Sequence, residues 1–262
     1  MHQPLSYVHP QAKIAHNVVI EPFVTIHNNV EIEEGTWIGS HVSIMEGARI
    51  GKNCKIFPGA VISAIPQDLK FKNEDTLTVI GNNVTIREHV TVNRGTKDKM
   101  QTTVGSNTLL MAYSHIAHDC VIGKNVIIAN AVNMAGHVTI GDFVVIGGLS
   151  GIHQFTNIGQ HSILSGGSLV GKDVPPYIKA ARAPLSYAGV NSIGLRRRGF
   201  SAEQINEIQE IYRYIYLRGL NTSQAASLIE NEMKPSEERD EILSFIRQSE
   251  RGIMKGYKTL AG

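Results

Sequence analysis

An aliphatic residue returns every six positions along most of this chain, and that period constrains the fold more than any other feature. The run begins at Val8 and Ile14, is interrupted twice, and ends at Val170 without losing phase. A period of six matches neither the 3.6-residue repeat of an amphipathic helix nor the two-residue alternation of a strand. It is typical of a parallel β-helix in which each hexad forms one side of a triangular coil. We therefore predict an all-β parallel β-helix, left-handed as in known hexapeptide proteins.

Three sides of six residues make a coil of eighteen, so residue i lies one strand spacing, roughly 4.8 Å, from residue i+18. The fourth place of the hexad mostly holds Gly, Asn, Asp or His, which tolerate the positive φ of a tight corner. The fifth place is mostly small or β-branched and suits an inward position. Cys54 and Cys120 both occupy it, on different faces. We therefore expect two buried thiols, no disulfide and a reduced, cytoplasmic setting.

Two polar segments, at about residues 63–79 and 94–103, interrupt the aliphatic register and are expected to project as loops. Pro175 and Pro176 cannot continue strand pairing and end the repeats. We predict a β-helix domain over residues 1–185 and a small α-helical C-terminal domain over residues 186–262.

Helix signals support the second domain, which we expect to be helical from about Ser186. Ser201 and Gln204 form a capping box at the start of a helix that Gly219 closes. Further helices are predicted from Thr222 to Met233 and from Ser236 onward.

Composition excludes some partners. The formal net charge is +2, so bulk charge gives no support for nucleic-acid binding. The opening MHQPLSYVHP has neither the apolar run of a signal peptide nor the length of a membrane span. We expect no nucleic-acid partner and no integral membrane segment.

Among the eleven histidines, His118 stands out because it occupies an outward third place of its hexad. Its neighbour eighteen residues on is Gly136, and the adjoining His137 lies above Asp119. His153 follows two coils away on the same side. We therefore predict a surface column of three histidines, with a glycine backbone facing the first.

This column suits acyl transfer from a thioester to a hydroxyl. A histidine general base contributes about 10²–10⁴ in rate, and an unobstructed glycine amide stabilising an oxyanion contributes about 10²–10³. Two other interpretations stay open. The histidines form a plain surface column, or three of them hold zinc between subunits.

Two further clusters each have a functional and a structural interpretation. Gly148 and Gly166 are one coil apart and each has a glycine neighbour, so bare backbone forms a groove for an alkyl chain or simply allows tight packing. The run Arg196–Arg198 is either a phosphate clamp or a solvated charge run.

Several strings closely resemble the acyl carrier protein–UDP-N-acetylglucosamine O-acyltransferase family of lipid A biosynthesis, over nearly the whole chain. They are IREHVTVNRGT (86–96), HIAHDCVIG (115–123), AGHVTIGDF (135–143), IHQF (152–155), DVPPY (173–177) and GLRRRGF (194–200), with PQDLK (66–70) in the first loop.

The resemblance implies transfer of a 3-hydroxyacyl chain from acyl carrier protein to the 3-hydroxyl of UDP-N-acetylglucosamine, the first step of lipid A biosynthesis. It implies a homotrimer with active sites between neighbouring β-helices, without metal or cofactor. By matching residues, His118 is the general base, Asp119 orients it, and Gly136 supplies the oxyanion amide. The residues implied to bind substrates are Asp68, Lys70, His115, His137, His153, Gln154, Asn191, Arg197 and Arg198. Gly166 matches the position that limits acyl length, and glycine there implies a longer chain.

The chain departs from the family at two places. Ile193 stands where a glutamate commonly contacts the nucleotide, and Asn93 stands where a histidine is common. The first departure leaves uridine recognition open, and neither touches the proposed base.

Four rival functions accompany this hypothesis. A 3-amino UDP-sugar is an alternative acceptor. The related N-acyltransferase carries a separate domain before its β-helix, whereas here the repeats begin at Val8. A zinc-dependent protein resembling γ-class carbonic anhydrase is distinguished by metal content, and a non-catalytic scaffold trimer would lose no function on His118→Ala.

Overall fold

A computed structural model describes residues 5–256, and the outer ends of both predicted domains lie outside that range. Short strands follow one another along the β-helix, and helices come last. The strands are β1 (Tyr7–Val8), β2 (Lys13–Ile14), β3 (Val19–Ile20), β4 (Thr25–Ile26), β5 (Glu31–Ile32), β6 (Trp37–Ile38), β7 (Ser43–Ile44), β8 (Ala48–Ile50), β9 (Lys55–Ile56), β10 (Val61–Ala64), β11 (Leu77–Ile80), β12 (Thr85–Ile86), β13 (Thr91–Asn93), β14 (Gln101–Val104), β15 (Leu109–Leu110), β16 (His115–Ile116), β17 (Val121–Ile122), β18 (Ile127–Ile128), β19 (Asn133–Met134), β20 (Thr139–Ile140), β21 (Val145–Ile146), β22 (Gly151–Ile152), β23 (Asn157–Ile158), β24 (Ile163–Leu164), β25 (Leu169–Val170), β26 (Ile178–Ala181) and β27 (Ser186–Val190). The helices are α1 (Ser192–Arg197), α2 (Ala202–Leu217), α3 (Thr222–Glu232) and α4 (Glu237–Gln248).

Every third strand along the β-helix joins the same sheet, which confirms the predicted left-handed parallel β-helix. The first sheet runs from β1 to β25, the second from β2 to β23, and the third from β3 through β24 to β26 and β27. We call the edge between the first and second sheets the first corner, that between the second and third sheets the second corner, and the remaining edge the third corner.

The predicted offset of eighteen residues holds near both ends of the β-helix, and it falls to sixteen at the last coil, where Ile163 pairs with Lys179. Tyr7 pairs with Thr25, and His115 pairs with Asn133. Between these ends, Val61 pairs with Thr91, thirty residues on, and Thr91 pairs with His115, twenty-four on. Each longer offset exceeds eighteen by a multiple of six, so the inserted segments leave the aliphatic phase intact.

The two loops are shorter than predicted. The first spans residues 65–76 and the second residues 94–100, because Leu77–Val79 and Gln101–Thr103 pair with each other as strand residues of β11 and β14. Burial alternates along LTVI and QTTV, so that Thr78 and Thr102 point inward and are fully buried, which the six-residue aliphatic register alone did not reveal.

Aliphatic side chains of each hexad fill the interior of the coil. Ile26, Ile56, Ile86 and Ile116 are all fully buried, and the fifth-place residues pack beside them. Cys54 and Cys120 are buried free thiols, as predicted. Cys54 directly precedes β9 of the third sheet and Cys120 directly precedes β17 of the second, so they lie on different faces.

The corners hold larger residues than the fourth-place pattern suggested. Phe143, Leu149 and Phe155 all have φ near +60°, which is uncommon for bulky side chains. Rings at these places stack on the next coil, for instance Phe143 on His161 with centroids 4.8 Å apart. Such stacking contributes about 0.5–1.5 kcal/mol, comparable with the cost of the backbone conformation.

The prediction of helix from Ser186 is wrong at its start. Ser186–Val190 form strand β27, which pairs antiparallel with β26 and extends the third sheet. Pairing satisfies backbone groups that would otherwise be exposed at the end of the sheet. The helices begin only at Ser192, and the division into two domains at residue 186 stays a prediction.

The later helices begin where their caps were predicted. The Ser201 hydroxyl accepts a hydrogen bond from the Gln204 amide, and the Gln204 side chain accepts one from the Ser201 amide. Gly219, with φ +71°, follows the end of α2, and the Ser236 side chain caps α4.

Two neighbouring isoleucines of β18 provide a test of the core. Ile128 is fully buried and Ile127 is 36 % exposed. We predict that Ile128→Ala lowers the free energy of unfolding by about 2–5 kcal/mol because it leaves a cavity. Ile127→Ala should lower it by less than about 1 kcal/mol. Denaturant unfolding of both variants measures this, and equal losses would contradict the assigned strand orientation.

Candidate active site

The His118 ring lies against the Asp119 carboxylate at the first corner. His118 Nδ1 is 2.8 Å from Asp119 Oδ2. The His118 side chain is 14 % exposed, whereas that of Asp119 is fully buried. A proton on Nδ1 is held by the carboxylate, so Nε2 is left with a lone pair that can accept a proton.

The Asp119 carboxylate is fixed by the second loop. The amide and hydroxyl of Thr96 donate to it at 2.9 and 2.6 Å, and the Lys99 amide donates at 3.3 Å. Burial alone raises the pKa of the Asp119 carboxyl, but the hydrogen bonds from Thr96, His118 and Lys99 outweigh it and hold the pKa below its ordinary value. Asp119 is therefore ionised at neutral pH. The sequence analysis did not predict that Thr96 and Lys99 bind Asp119. The polar segment at about residues 94–103 was the feature that could have indicated such a contact.

Gly136 faces the other side of His118, as the eighteen-residue offset predicted. A Cβ atom on Gly136 would lie 2.6 Å from Cε1 and 2.7 Å from Nε2 of His118. Within residues 5–256, no hydrogen bond uses the Gly136 N–H, while its carbonyl accepts from the Phe155 amide at 3.2 Å. The ring thus lies beside a bare backbone whose amide is available to an oxyanion.

His137 packs edge-on against His118, but the predicted three-histidine column is only partly formed. The two ring centroids are 5.1 Å apart, and the other side of His137 stacks on Phe155 at 4.4 Å. His153 is exposed instead, and its Nδ1 lies 3.0 Å from the Gln154 carbonyl oxygen. In the described part of the chain, no hydrogen bond, ion pair or ring stacking joins His153 to the other two rings.

His115 and His153 line a groove of about 580 Å³ on the first sheet. Apolar groups form most of its wall: Ala117, Met134, Ala135, Ile152, Leu169 and Val170. His115 Nδ1 lies 2.7 Å from Thr91 Oγ1. Burial, and secondly the charge of His118, lower the pKa of His115, so this histidine is neutral at neutral pH. The groove is suited to an alkyl chain.

The paired glycines lie at the third corner, at the far side of the first sheet. A Cβ on Gly147 would lie 2.3 Å from the Gly166 nitrogen, so close packing requires glycine there. A Cβ on Gly166 would lie 3.2 Å from the Gly148 carbonyl oxygen, and among residues 5–256 no atom lies within 4 Å of one on Gly167. Tight packing explains Gly147 and leaves little room for a Cβ at Gly166, while the place of Gly167 is open.

The residues implied to hold the nucleotide lie around the second corner. Asn191 is buried, its amide donates to the His161 carbonyl at 2.8 Å, and its oxygen caps α1 by accepting from Gly194. Its side chain is therefore already engaged within the chain. Arg197 is exposed, whereas Arg198 lies over the Phe143 ring at 5.1 Å, and burial lowers its pKa.

Arg198 carries an unused donor. Its Nη2 donates to the Phe143 carbonyl at 3.3 Å, while Nη1 is buried and has no partner within residues 5–256. His161 stacks between Phe143 and Tyr177, and its burial, followed by the charge of Arg198, lowers its pKa to about 4. Arg198 therefore has a donor left for an anion at this corner.

Asp68 and Lys70 lie in the first loop. Asp68 Oδ1 accepts a hydrogen bond from the Lys70 amide at 2.9 Å, and Lys70 is exposed. Among the residues the structure describes, no hydrogen bond or ion pair joins either of them to the His118 cluster.

Comparison with known proteins agrees with the resemblance drawn from the sequence. The model of the second domain of UDP-N-acetylglucosamine O-acyltransferases matches residues 173–254, that of bacterial transferase hexapeptide repeats matches residues 101–136, and that of the GMPPB C-terminal domain matches residues 2–97. An acyl-[acyl-carrier-protein]–UDP-N-acetylglucosamine O-acyltransferase from Paraburkholderia phymatum is 46 % identical over 195 residues, covering 72 % of this chain and 74 % of the relative.

Solved structures match over nearly the full length. A UDP-N-acetylglucosamine acyltransferase from Bacteroides fragilis has a TM-score of 0.95 and 50 % identity, covering 97 % of this chain and 100 % of that one. The corresponding protein from Acinetobacter baumannii has a TM-score of 0.94 and 44 % identity, covering 97 % and 99 %. The chain belongs to the acyl-[acyl-carrier-protein]–UDP-N-acetylglucosamine O-acyltransferase family. It is an enzyme of that family, and within residues 5–256 it has no helix both long and apolar enough to cross a membrane.

Gly136 provides a test of the reacting centre. In Gly136→Ala the new methyl group would overlap the His118 ring and displace it. Because misplacement by about 1 Å can cost about 10² in rate, we predict an acyl-transfer rate at least tenfold lower. Thermal unfolding should change little, since the ring can rotate toward solvent. Rates within threefold of wild type would contradict the assigned contact.

Proposed function

We propose that the enzyme transfers a 3-hydroxyacyl chain from an acyl carrier protein thioester to the 3-hydroxyl of UDP-N-acetylglucosamine, opening lipid A biosynthesis. One observation carries the proposal: a Cβ on Gly136 would lie 2.7 Å from His118 Nε2, the Gly136 N–H has no partner within residues 5–256, and His118 Nδ1 is held by Asp119. A base and an unpaired backbone donor are thus neighbours, as acyl transfer requires.

The reaction follows from these positions. His118 Nε2 removes the proton from the sugar 3-hydroxyl, whose oxygen attacks the thioester carbonyl carbon. The Gly136 N–H donates to the oxyanion of the tetrahedral intermediate. When the C–S bond breaks, the thiolate of the carrier's prosthetic group accepts the proton that His118 removed from the sugar hydroxyl. Asp119 stabilises the imidazolium meanwhile and stays ionised. No covalent enzyme intermediate and no metal is part of this mechanism.

The first sheet offers the place for the acyl chain. The apolar groove leads from His115 and His153 across the sheet, and Leu169 lines its far part. Gly166 lies at the adjoining third corner, where an added side chain would shorten the part of the groove that is open to an acyl chain. We propose that Gly166 limits acyl length in this way.

The second corner offers the place for the nucleotide. A phosphate oxygen would satisfy the buried Nη1 atom of Arg198, and guanidinium–phosphate contacts are strong in such surroundings. Arg197 is exposed beside it. We assign Asn191 an indirect role, because its side chain caps α1 and thereby positions both arginines. Asp68, Lys70, His137, His153 and Gln154 remain proposed sugar and phosphate ligands.

A homotrimer is proposed as the working unit. Leu149 at the third corner is 76 % exposed and Leu169 on the first sheet is 80 % exposed. An acyl chain in this open groove would be covered on one side only. A second protein subunit packed against the groove would remove the acyl chain and both leucines from water. The carrier-bound donor and the buried free thiols favour a cytoplasmic location.

The hypothesis of a 3-amino sugar acceptor needs no change in the site, because an amino acceptor would use the same base, His118.

The zinc hypothesis requires ligands that are free to bind the metal. Donor atoms of His118, Asp119 and His137 lie within 4.8 Å of one another, but Asp119 already accepts hydrogen bonds from Thr96, Lys99 and His118. Zinc would have to displace these bonds, so this observation favours the metal-free mechanism.

The experiment is an acyl-transfer assay of the purified protein. Donors are 3-hydroxyacyl carrier proteins of several chain lengths, and acceptors are UDP-N-acetylglucosamine and its 3-amino analogue. We predict transfer to the hydroxyl acceptor without bound zinc, and a shift of Gly166→Met toward shorter chains. Transfer to the 3-amino analogue alone would mean that the amino sugar, and not UDP-N-acetylglucosamine, is the acceptor. No transfer from any donor, together with stoichiometric bound zinc, would contradict the proposal.

A further inference from the structure

The second loop acts on His118 through Asp119 and on His137 directly. Thr96 and Lys99 hold Asp119 through their amides, and Thr96 adds its hydroxyl. Between them in sequence lies Asp98, whose amide donates to Thr96 Oγ1 at 3.3 Å. The loop thus fixes the carboxylate under His118 and presents a second carboxylate from the solvent side.

That second carboxylate faces His137. Asp98 Oδ2 is 3.1 Å from His137 Nδ1, within ion-pair distance although not aligned as a hydrogen bond. The side chain of Asp98 is 62 % exposed, whereas that of His137 is 14 % exposed. Phe155 covers one face of the His137 ring and His118 meets it edge-on, so Asp98 completes the contacts that orient it.

The two histidines compete for one oxygen atom. Asp119 Oδ2 lies 2.8 Å from His118 Nδ1 and 3.8 Å from His137 Nε2. A small rotation of His137 would bring it into hydrogen-bonding range of that oxygen. His118 would then share the carboxylate that keeps its Nε2 lone pair directed at the acceptor hydroxyl.

We propose that Asp98 is a positioning residue for acyl transfer: it holds His137 from the solvent side and so leaves Asp119 to His118. This role rests on the proposed function, since it acts on the same reacting centre. The proposed role gives Asp98 no contact with the substrate or the reacting atoms.

Stability is a poor measure of this contact. Exposed ion pairs contribute little to folding, so Asp98→Asn should leave thermal unfolding unchanged. Orientation is different, because catalysis depends on small displacements of the base and its partners. The effect of the substitution should therefore appear in the rate alone.

The test compares kcat/KM for acyl transfer among variants of the full-length protein. Asp98→Asn should lower kcat/KM about fivefold, the upper range for an exposed ion pair. Asp98→Glu keeps the carboxylate and should recover most of the rate. Asp75→Asn makes the same charge change at an exposed aspartate of the first loop and should match wild type.

A double-mutant cycle distinguishes action through His137 from a general charge effect. If Asp98 acts through His137, Asp98→Asn should cause no further loss in a His137→Gln background. An unchanged rate in Asp98→Asn, or the same fivefold loss in the His137→Gln background, would overturn the proposal. Absence of transfer by wild type would overturn the proposed function together with this role.

Discussion

The pairing of each residue with the one eighteen positions on is the constraint on which the rest of the structure depends. Parallel pairing buries one aliphatic side chain per hexad and stacks equivalent places at strand spacing. The inserted loops lengthen the offset only by multiples of six. The interior therefore continues unbroken past both loops, and positions on the surface are set as rigidly as those in the core.

The reacting centre depends on that rigidity and on one buried carboxylate. Stacking places Gly136 on His118 and His137 on Asp119, yet stacking alone does not orient an imidazole. The second loop does so by supplying three donors to Asp119. A buried carboxylate with so many partners stays charged and fixed. The scaffold thus sets where the base is, and the loop sets which nitrogen acts.

Sequence reasoning succeeded where position in the repeat decides the neighbour. The fold, the contact of Gly136 with His118 and the place of His137 above Asp119 all follow from counting by six and eighteen. It failed where contacts leave the repeat. The anchoring of Asp119 by Thr96, the strand at Ser186–Val190 and the internal hydrogen bonds of Asn191 depend on how irregular segments fold back, and no period specifies that.

The most direct test of this account is the single-turnover rate of acyl transfer in His118→Ala, with the exposed His16→Ala as a matched control. Loss of the general base should lower the rate at least about a hundredfold while the β-helix stays folded, and His16→Ala should react like wild type. A His118→Ala rate within a few-fold of wild type would contradict the assignment of His118 as the base.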